Sequence, residues 1–347
     1  MRTIKRAGAA ITAAIMAAVF ISSCGSRGDI IVEEKTLLMG APVSIKAHLT
    51  DASGRSRARQ VIQRAFAEIK KLDDLFSVYN PDSEISRINK LRKKERLLIS
   101  PEAFHLINNS LVFSELTEGA FDITAKPLVD LWNEAGKDKK LPSQEEIARV
   151  RSRVGYKNVM LDEKRFTIHF NKAGMEIDLG GVAQGYAADR AIAVLVSEGI
   201  DNAIVDISGD IYCLGSKMYN ESWKVGVRNP RSRAKTFLEL KLKDKAVSTS
   251  GDYEKYFIID GKRYSHIIDP RTGYPVDNSV VSSTAIAGNA ATADIMATAI
   301  MVLGSKGLEA AASLGMDAVV VFERENGLIM ETTPGIKKRY DISTTSF

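Results

Sequence analysis

Cysteine is nearly missing from this 347-residue chain: Cys24 and Cys213 are the only two. Cys24 closes an N-terminal export signal, which leaves Cys213 alone in an apolar stretch. No internal disulfide is available, so the fold must stand on its core, and 45% hydrophobic residues suffice to build one. No Pro/Ser-rich linker, low-complexity segment or repeat divides the chain. A basic tail is also lacking, which argues against nucleic acid as a partner. Histidine is scarce, with four in all, so few side chains can exchange a proton near neutral pH.

What the N-terminus does have is a targeting signal. Arg2, Lys5 and Arg6 precede an apolar run, Ala7 to Ile21, that is too short for a comfortable membrane span. It ends in Ile21-Ser22-Ser23-Cys24, which resembles a bacterial lipobox, small residues before a cysteine that is acylated and becomes residue one. The reading is a signal peptide over 1–23, a lipid-anchored tether over 24–35 and one domain over 36–347. The signal carries three of the 48 basic residues and no acidic one, so the mature chain sets 45 against 43 and is almost neutral.

The chain is organised around Glu176 to Arg190, EIDLGGVAQGYAADR. Met175 to Leu179 alternates apolar and acidic residues as the end of a strand, Gly180 and Gly181 break it, and Ala183 to Glu198 reads as a helix capped by Gly199. A strand from Ala203 to Ile207 follows. Such a glycine turn lets backbone amides and a helix dipole meet a phosphate. It is no Walker loop, because Tyr186 and Ala187 replace the required Lys and Ser/Thr. It is no dinucleotide fingerprint either, because Ala183 holds the middle glycine position. A tight turn that packs a helix on its sheet is the other reading of the same residues.

Further elements frame this stretch. Val43 to Leu49 reads as a half-buried strand and Arg55 to Phe76 as an amphipathic helix with Ile62, Ala65, Phe66, Ile69 and Phe76 on one face. Tyr79 is a large ring on the polar loop that follows. Ser100 and Pro101 open a second helix, and Ser143 to Glu146 is a capping box. Strands are expected over Phe166–Phe170, Trp223–Val227 and Phe237–Leu242, and a hairpin over Tyr256–Ile259 and Lys262–Ile268 around Asp260-Gly261.

Two further features carry chemistry. His266 stands at the end of the second hairpin strand, where it serves either as a proton acceptor or as a structural ring. On a helix from Ala291 to Leu303, Asp294 and Thr298 lie four apart, on one face. With a backbone carbonyl they make hard oxygen ligands suited to Mg²⁺. Alternatively Asp294 favours the helix dipole and Thr298 bonds back to its own helix.

Taken in order, Met39-Gly40, SVYNPDSEISRIN, EGAFDITAKPL, EIDLGGVAQGYAADR, NAIVDISGDI, VGVRNP, TSGDY, RYSHIIDPRTGYP and ADIMATAIMVLG resemble the ApbE-type FAD:protein FMN transferases over roughly residues 36 to 335. The resemblance implies a single α/β domain of mixed sheets flanked by helices. It implies cleavage of FAD at its diphosphate, esterification of FMN onto a Ser or Thr hydroxyl of an acceptor flavoprotein subunit of redox-pump or electron-transfer type, and release of AMP. By motif position Asp294, Thr298 and the Gly181 carbonyl would bind Mg²⁺. Met39, Tyr79, Ala120, Phe121 and Asp122 would line the flavin and adenosine pocket. Asp178, Gln184 and the Ile268 backbone would also contact FAD, and His266 would be the catalytic base.

The chain departs from the family pattern in three places. Gln184 stands where lysine is frequent, Ser265 where a histidine often precedes His266, and Ala41 where threonine is common. Two rival readings share most of these residues: a Mg²⁺-dependent FAD pyrophosphatase, and a lipoprotein that binds flavin without chemistry. The last needs no base, so Asp294, Thr298 and His266 together weigh against it.

Overall fold

The computed structural model describes residues 29–340 and the backbone of 342–344. Cys24 and the signal peptide lie outside the described residues. Strands β1 (Ile30–Leu38) and β2 (Ala41–Leu49) pair around Met39 and Gly40, whose φ of 53° and 68° make the mirror-image turn that suits a two-residue hairpin. The first six residues of β1, Ile30 to Lys35, were expected in the tether; their partners on β2 hold them in the sheet instead.

Helix α1 (Arg55–Phe76) buries Ala58, Val61, Ile62, Ala65, Phe66, Ile69, Leu72 and Phe76, the stripe its spacing requires. At roughly 1.5–3 kcal/mol per large buried side chain, that stripe is what holds the helix down. Ile69→Ala alone would cost about 2–5 kcal/mol. Ser100 caps α2 (Pro101–Leu116) through Ala103, and α3 (Lys126–Asp138) follows. The expected capping box forms at Ser143 and Glu146.

Met175–Leu179, expected as a strand, belongs to no ladder. Its backbone groups go elsewhere: the Asn89 side chain bonds both the amide and the carbonyl of Ile177, at 2.8 and 2.9 Å, and the Asp178 amide donates to the Ile123 carbonyl at 2.8 Å. The segment is extended but is tied to loops rather than to a sheet. Helix α4 (Ala183–Ser197) then leads through Gly199, at φ 78°, to β3 (Ala203–Ile207) and β4 (Asp210–Leu214).

Strands β5 (Trp223–Asn229), β6 (Ser232–Leu242), β7 (Lys245–Gly251) and β8 (Val280–Ala287) precede α5 (Ala290–Leu303). Strands β9 (Asp317–Arg324) and β10 (Gly327–Thr332) complete the main sheet. Its order is β1-β2-β3-β4-β7-β8-β9-β10, and every pairing between them is antiparallel. The fold is therefore an α/β domain built on an antiparallel sheet. One face carries α1, α4 and α5 over the larger core. The other face packs Val247, Val281, Ile286, Val319 and Val321 against β5 and β6, with Ile342–Thr344 paired to β6. Cys213 is buried in that second core, where burial raises its thiol pKa and leaves it inert.

Candidate active site

Helix α5 is apolar all round: eleven of its fourteen residues are buried, which makes it a core helix. Asp294 is the one acid on it, and it too is buried. Its Oδ2 accepts a hydrogen bond from the Gly185 amide at 3.3 Å, and among the described residues no Lys or Arg pairs with it. Burial first, and the nearby charge of Asp210 second, push its pKa well above the ordinary carboxylate value. Asp210 is itself buried, is held by the Ser248 hydroxyl at 2.5 Å, and is pushed in the same direction by burial. Two acids without a counter-cation are costly to bury, so the pair favours a positive charge.

The glycine turn reaches this helix. A methyl group placed on Gly181 would sit 3.7 Å from Thr298 Oγ1 and 3.3 Å from the Phe121 ring. Ser250, on the strand beneath, brings its hydroxyl to 3.4 Å from that of Thr298. One placed on Gly185 would meet the Ala290 carbonyl oxygen at 2.4 Å, so only glycine lets α4 and α5 approach this closely. The packing reading of the turn is met, and Gly181 beside Thr298 and Gly185 bonded to Asp294 put Gly181, Asp294 and Thr298 along the same contact. Their donors are a carbonyl, a carboxylate and a hydroxyl, all hard oxygens that suit a small divalent cation. No group of three or more His, Cys, Asp or Glu gathers as a metal cluster among the described residues.

Asp178 begins the turn. Its Oδ1 accepts from the Gly180 amide at 2.8 Å, while burial raises its pKa and the charges of Lys126 and Lys255 oppose that rise. Lys255 also holds His266, whose Nδ1 lies 2.6 Å from the Lys255 carbonyl oxygen. His266 falls just past the second hairpin strand, which ends at Ser265 rather than Ile268. Burial lowers its pKa, so the ring is neutral at pH 7. Asp269, three residues further on, is clamped by Arg271 at 2.9 and 2.8 Å.

Of the remaining predicted residues, Phe121 is the one shown against the glycine turn. Ala120 and Phe121 are buried, and the Phe121 ring lies beside Gly181. The Asp122 carboxylate is spent locally, accepting from the Thr124 amide and hydroxyl and from the Tyr156 amide at 2.9 Å. It shapes the loop, and burial raises its pKa. Gln184 lies in the first turn of α4, where the Ala183 amide bonds the Leu179 carbonyl, the Gly185 amide Asp294 and the Tyr186 amide the Val182 carbonyl, so this helix start is not a row of free amides awaiting an anion. Met39 is tied through its amide to Asp73 at 3.1 Å, near the C-terminal end of α1, and Tyr79 stands 93% exposed just beyond that end. The rings of Phe76 and Tyr186, 6.1 Å apart, join that end of α1 to the start of α4. Ile268 is buried and pairs with Pro275, against the cluster around Leu128 and Trp132. A cavity of about 570 Å³ lined by Lys46, Asp206, Thr249 and Tyr253 holds none of the predicted residues. Asp189, Asp210 and Ser250 were not singled out from the sequence, although Asp189 repeats the four-residue step from Gly181 to Gly185.

These elements make an α/β domain on an antiparallel sheet, with a glycine turn set against Thr298 and the buried Asp294 of a core helix. Residues 39–320 match the profile of the ApbE family, and the chain belongs to that family. It is 31% identical to the FAD:protein FMN transferase of Klebsiella pneumoniae over 86% of this chain and 90% of that one. It is 33% identical to the FAD:protein FMN transferase of Vibrio cholerae over 75% and 78%. The crystal structure of the ApbE protein of Thermotoga maritima superposes with a TM-score of 0.80 at 35% identity, covering 89% of this chain and 99% of that one. The flavin transferase ApbE of Vibrio cholerae gives 0.78 at 27%, with the same coverage.

Proposed function

We propose that this chain is an FAD:protein FMN transferase: it moves FMN from FAD to a Ser or Thr hydroxyl of an acceptor flavoprotein subunit of redox-pump or electron-transfer type and releases AMP. The observation that carries the reading is the meeting of Gly181, Asp294 and Thr298 at the glycine turn, in a chain whose relatives bear that name over most of their length. The three residues would hold Mg²⁺, which when bound supplies positive charge to the diphosphate as electrons move to the leaving AMP.

The chain's own groups do the rest. His266 is oriented by the Lys255 carbonyl, which fixes the proton on Nδ1 and leaves the Nε2 lone pair to take the acceptor's hydroxyl proton. The acceptor oxygen forms the new ester bond to FMN phosphorus, the diphosphate P–O bond breaks, and AMP carries the electron pair away. Tyr79, 93% exposed, offers a ring face to a flat heterocycle.

Purified chain incubated with FAD, Mg²⁺ and an acceptor tests this by intact mass. One FMN adduct per AMP supports transfer; AMP without an adduct makes the chain an FAD pyrophosphatase.

For location, we propose an exported lipoprotein held on a bacterial membrane through acylated Cys24. Support comes from the basic residues, the short apolar run and the lipobox. No helix of the described residues is long and apolar enough to cross a membrane. Cys24→Ala is expected to leave an unlipidated precursor; a variant processed and membrane-retained like the parent contradicts the anchor.

A further inference from the structure

Helix α4, extended by the glycine turn before it, meets α5 along two rows of residues, each stepping by four. Gly181, Gly185 and Asp189 form one row; Ala290, Asp294 and Thr298 form the other. They run antiparallel: Gly181 faces Thr298, Gly185 faces Asp294 and Ala290, and Asp189 faces Ala290 and Ala291. Rows of this spacing are the ridges by which helices interlock, so the register between them is discrete.

At the far end of the rows from Thr298, Asp189 accepts the Ala290 amide on Oδ1 at 2.6 Å and the Ala291 amide on Oδ2 at 2.9 Å. These are the first two amides of α5, which have no partner within their own helix. Asn289 serves the third, accepting from Thr292 at 2.8 Å. The helix thus has a local cap and, besides it, a clamp from a residue about one hundred positions away. Among the described residues no basic side chain pairs with Asp189, so both oxygens serve the amides alone. A cap that only completed α5 would need no carboxylate from α4. One that grips α5 from α4 fixes how far the two rows slide, and the oxygens of Gly181, Asp294 and Thr298 are distributed across them.

We infer that Asp189 is a positioning residue for the metal site: it locks the register of α4 against α5 so that the glycine-turn carbonyl and the two α5 ligands converge on one cation. The inference rests on the Mg²⁺ reading of that site. Residues that orient metal ligands without touching the ion change affinity by about 10–100-fold when altered.

The test uses full-length protein without FAD and reads the Mg²⁺ concentration that gives half of the Mg²⁺-induced rise in Tm. Wild type, Asp189→Asn and Asn289→Ala are compared. Asn289→Ala removes the local cap of the same helix but leaves the grip between helices, so it controls for loss of helix stability. The expected result is a half-point raised about 10–100-fold in Asp189→Asn and within about twofold of wild type in Asn289→Ala. A half-point in Asp189→Asn that matches wild type, or a shift shared equally by Asn289→Ala, overturns the inference. If Asp189→Asn does not fold, Asp189→Glu replaces it, keeping the charge but moving the carboxylate by one methylene. Unfolding of both overturns the assignment in favour of a purely structural cap. No Mg²⁺ response in wild type is a different failure: it removes the metal reading itself.

Discussion

His266 Nδ1 lies 2.6 Å from the carbonyl oxygen of Lys255. A carbonyl only accepts, so the ring proton sits on Nδ1 and Nε2 is the basic nitrogen. Burial, the largest influence on this ring, holds its pKa below the ordinary 6.5, and the Lys255 carbonyl opposes that only in part. The transfer rate is therefore expected to stay flat from pH 8 down to about the ordinary histidine value and to fall at lower pH, as the base protonates. The same shift acts on stability. The unfolded chain takes up this proton more readily, so His266's contribution is fully present above the unfolded pKa and is lost as pH falls through the folded one. A pH–rate profile with its acid limb centred at pH 7 or above would contradict the assignment.

Gly185 is the closest point between α4 and α5. In Gly185→Ala the new methyl group would stand 2.4 Å from the Ala290 carbonyl oxygen and 2.7 Å from its carbon, both backbone atoms that cannot rotate away. The helices must separate, at a cost of about 1–3 kcal/mol. Transfer should also collapse, because separation pulls Gly181 from Thr298. Urea denaturation and the transfer rate check this together; a variant unchanged in both shows that the close contact is dispensable.

Asp294→Asn has an expected effect of opposite sign on stability and on catalysis. In the absence of a divalent cation, the wild-type helix buries an acid beside Asp210 without a basic partner. Replacing it with the neutral isostere should leave Tm in chelator equal or higher, by on the order of 1 kcal/mol of stability. The Mg²⁺-induced rise in Tm should vanish, and transfer should fall by more than about 10²-fold, as loss of several kcal/mol of charge stabilisation requires. A lower Tm in chelator together with an intact Mg²⁺ response would remove Asp294 from the metal site.

Much of this was legible in the sequence because its causes are local. The apolar stripe of α1, the caps at Ser100 and Ser143, and the left-handed Gly199 each depend on neighbours within a turn. The pairing of Asp294 with Thr298 follows from helical spacing, and the family motifs supplied Gly181. What was not legible comes from distant partners. Met175–Leu179 alternates as a strand does, yet Asn89 and Ile123 take its backbone bonds. The Ile30–Lys35 segment has no strong strand pattern of its own and gains one from β2. Asp122 looked like a pocket acid, but Tyr156 and Thr124 use its oxygens. The partners of Asp189 are 101 and 102 residues away, beyond any local pattern.

Tyr79 separates binding from folding. At 93% exposure it contributes little packing, so Tyr79→Ala should leave Tm unchanged. If its ring stacks on a heterocycle of FAD, the Kd for FAD should rise about 2- to 10-fold, the worth of one aromatic pair. Calorimetric titration with FAD checks this, and an unaltered Kd would take Tyr79 out of the binding surface.

The most direct test of transfer with His266 as the base is the initial rate at which FMN mass appears on the acceptor, for His266→Ala against wild type, at saturating FAD and Mg²⁺. Neither ligand needs a base to bind, so both affinities should persist while the rate falls by about 10²–10⁴-fold. A variant that transfers FMN within a few-fold of wild type would contradict the account.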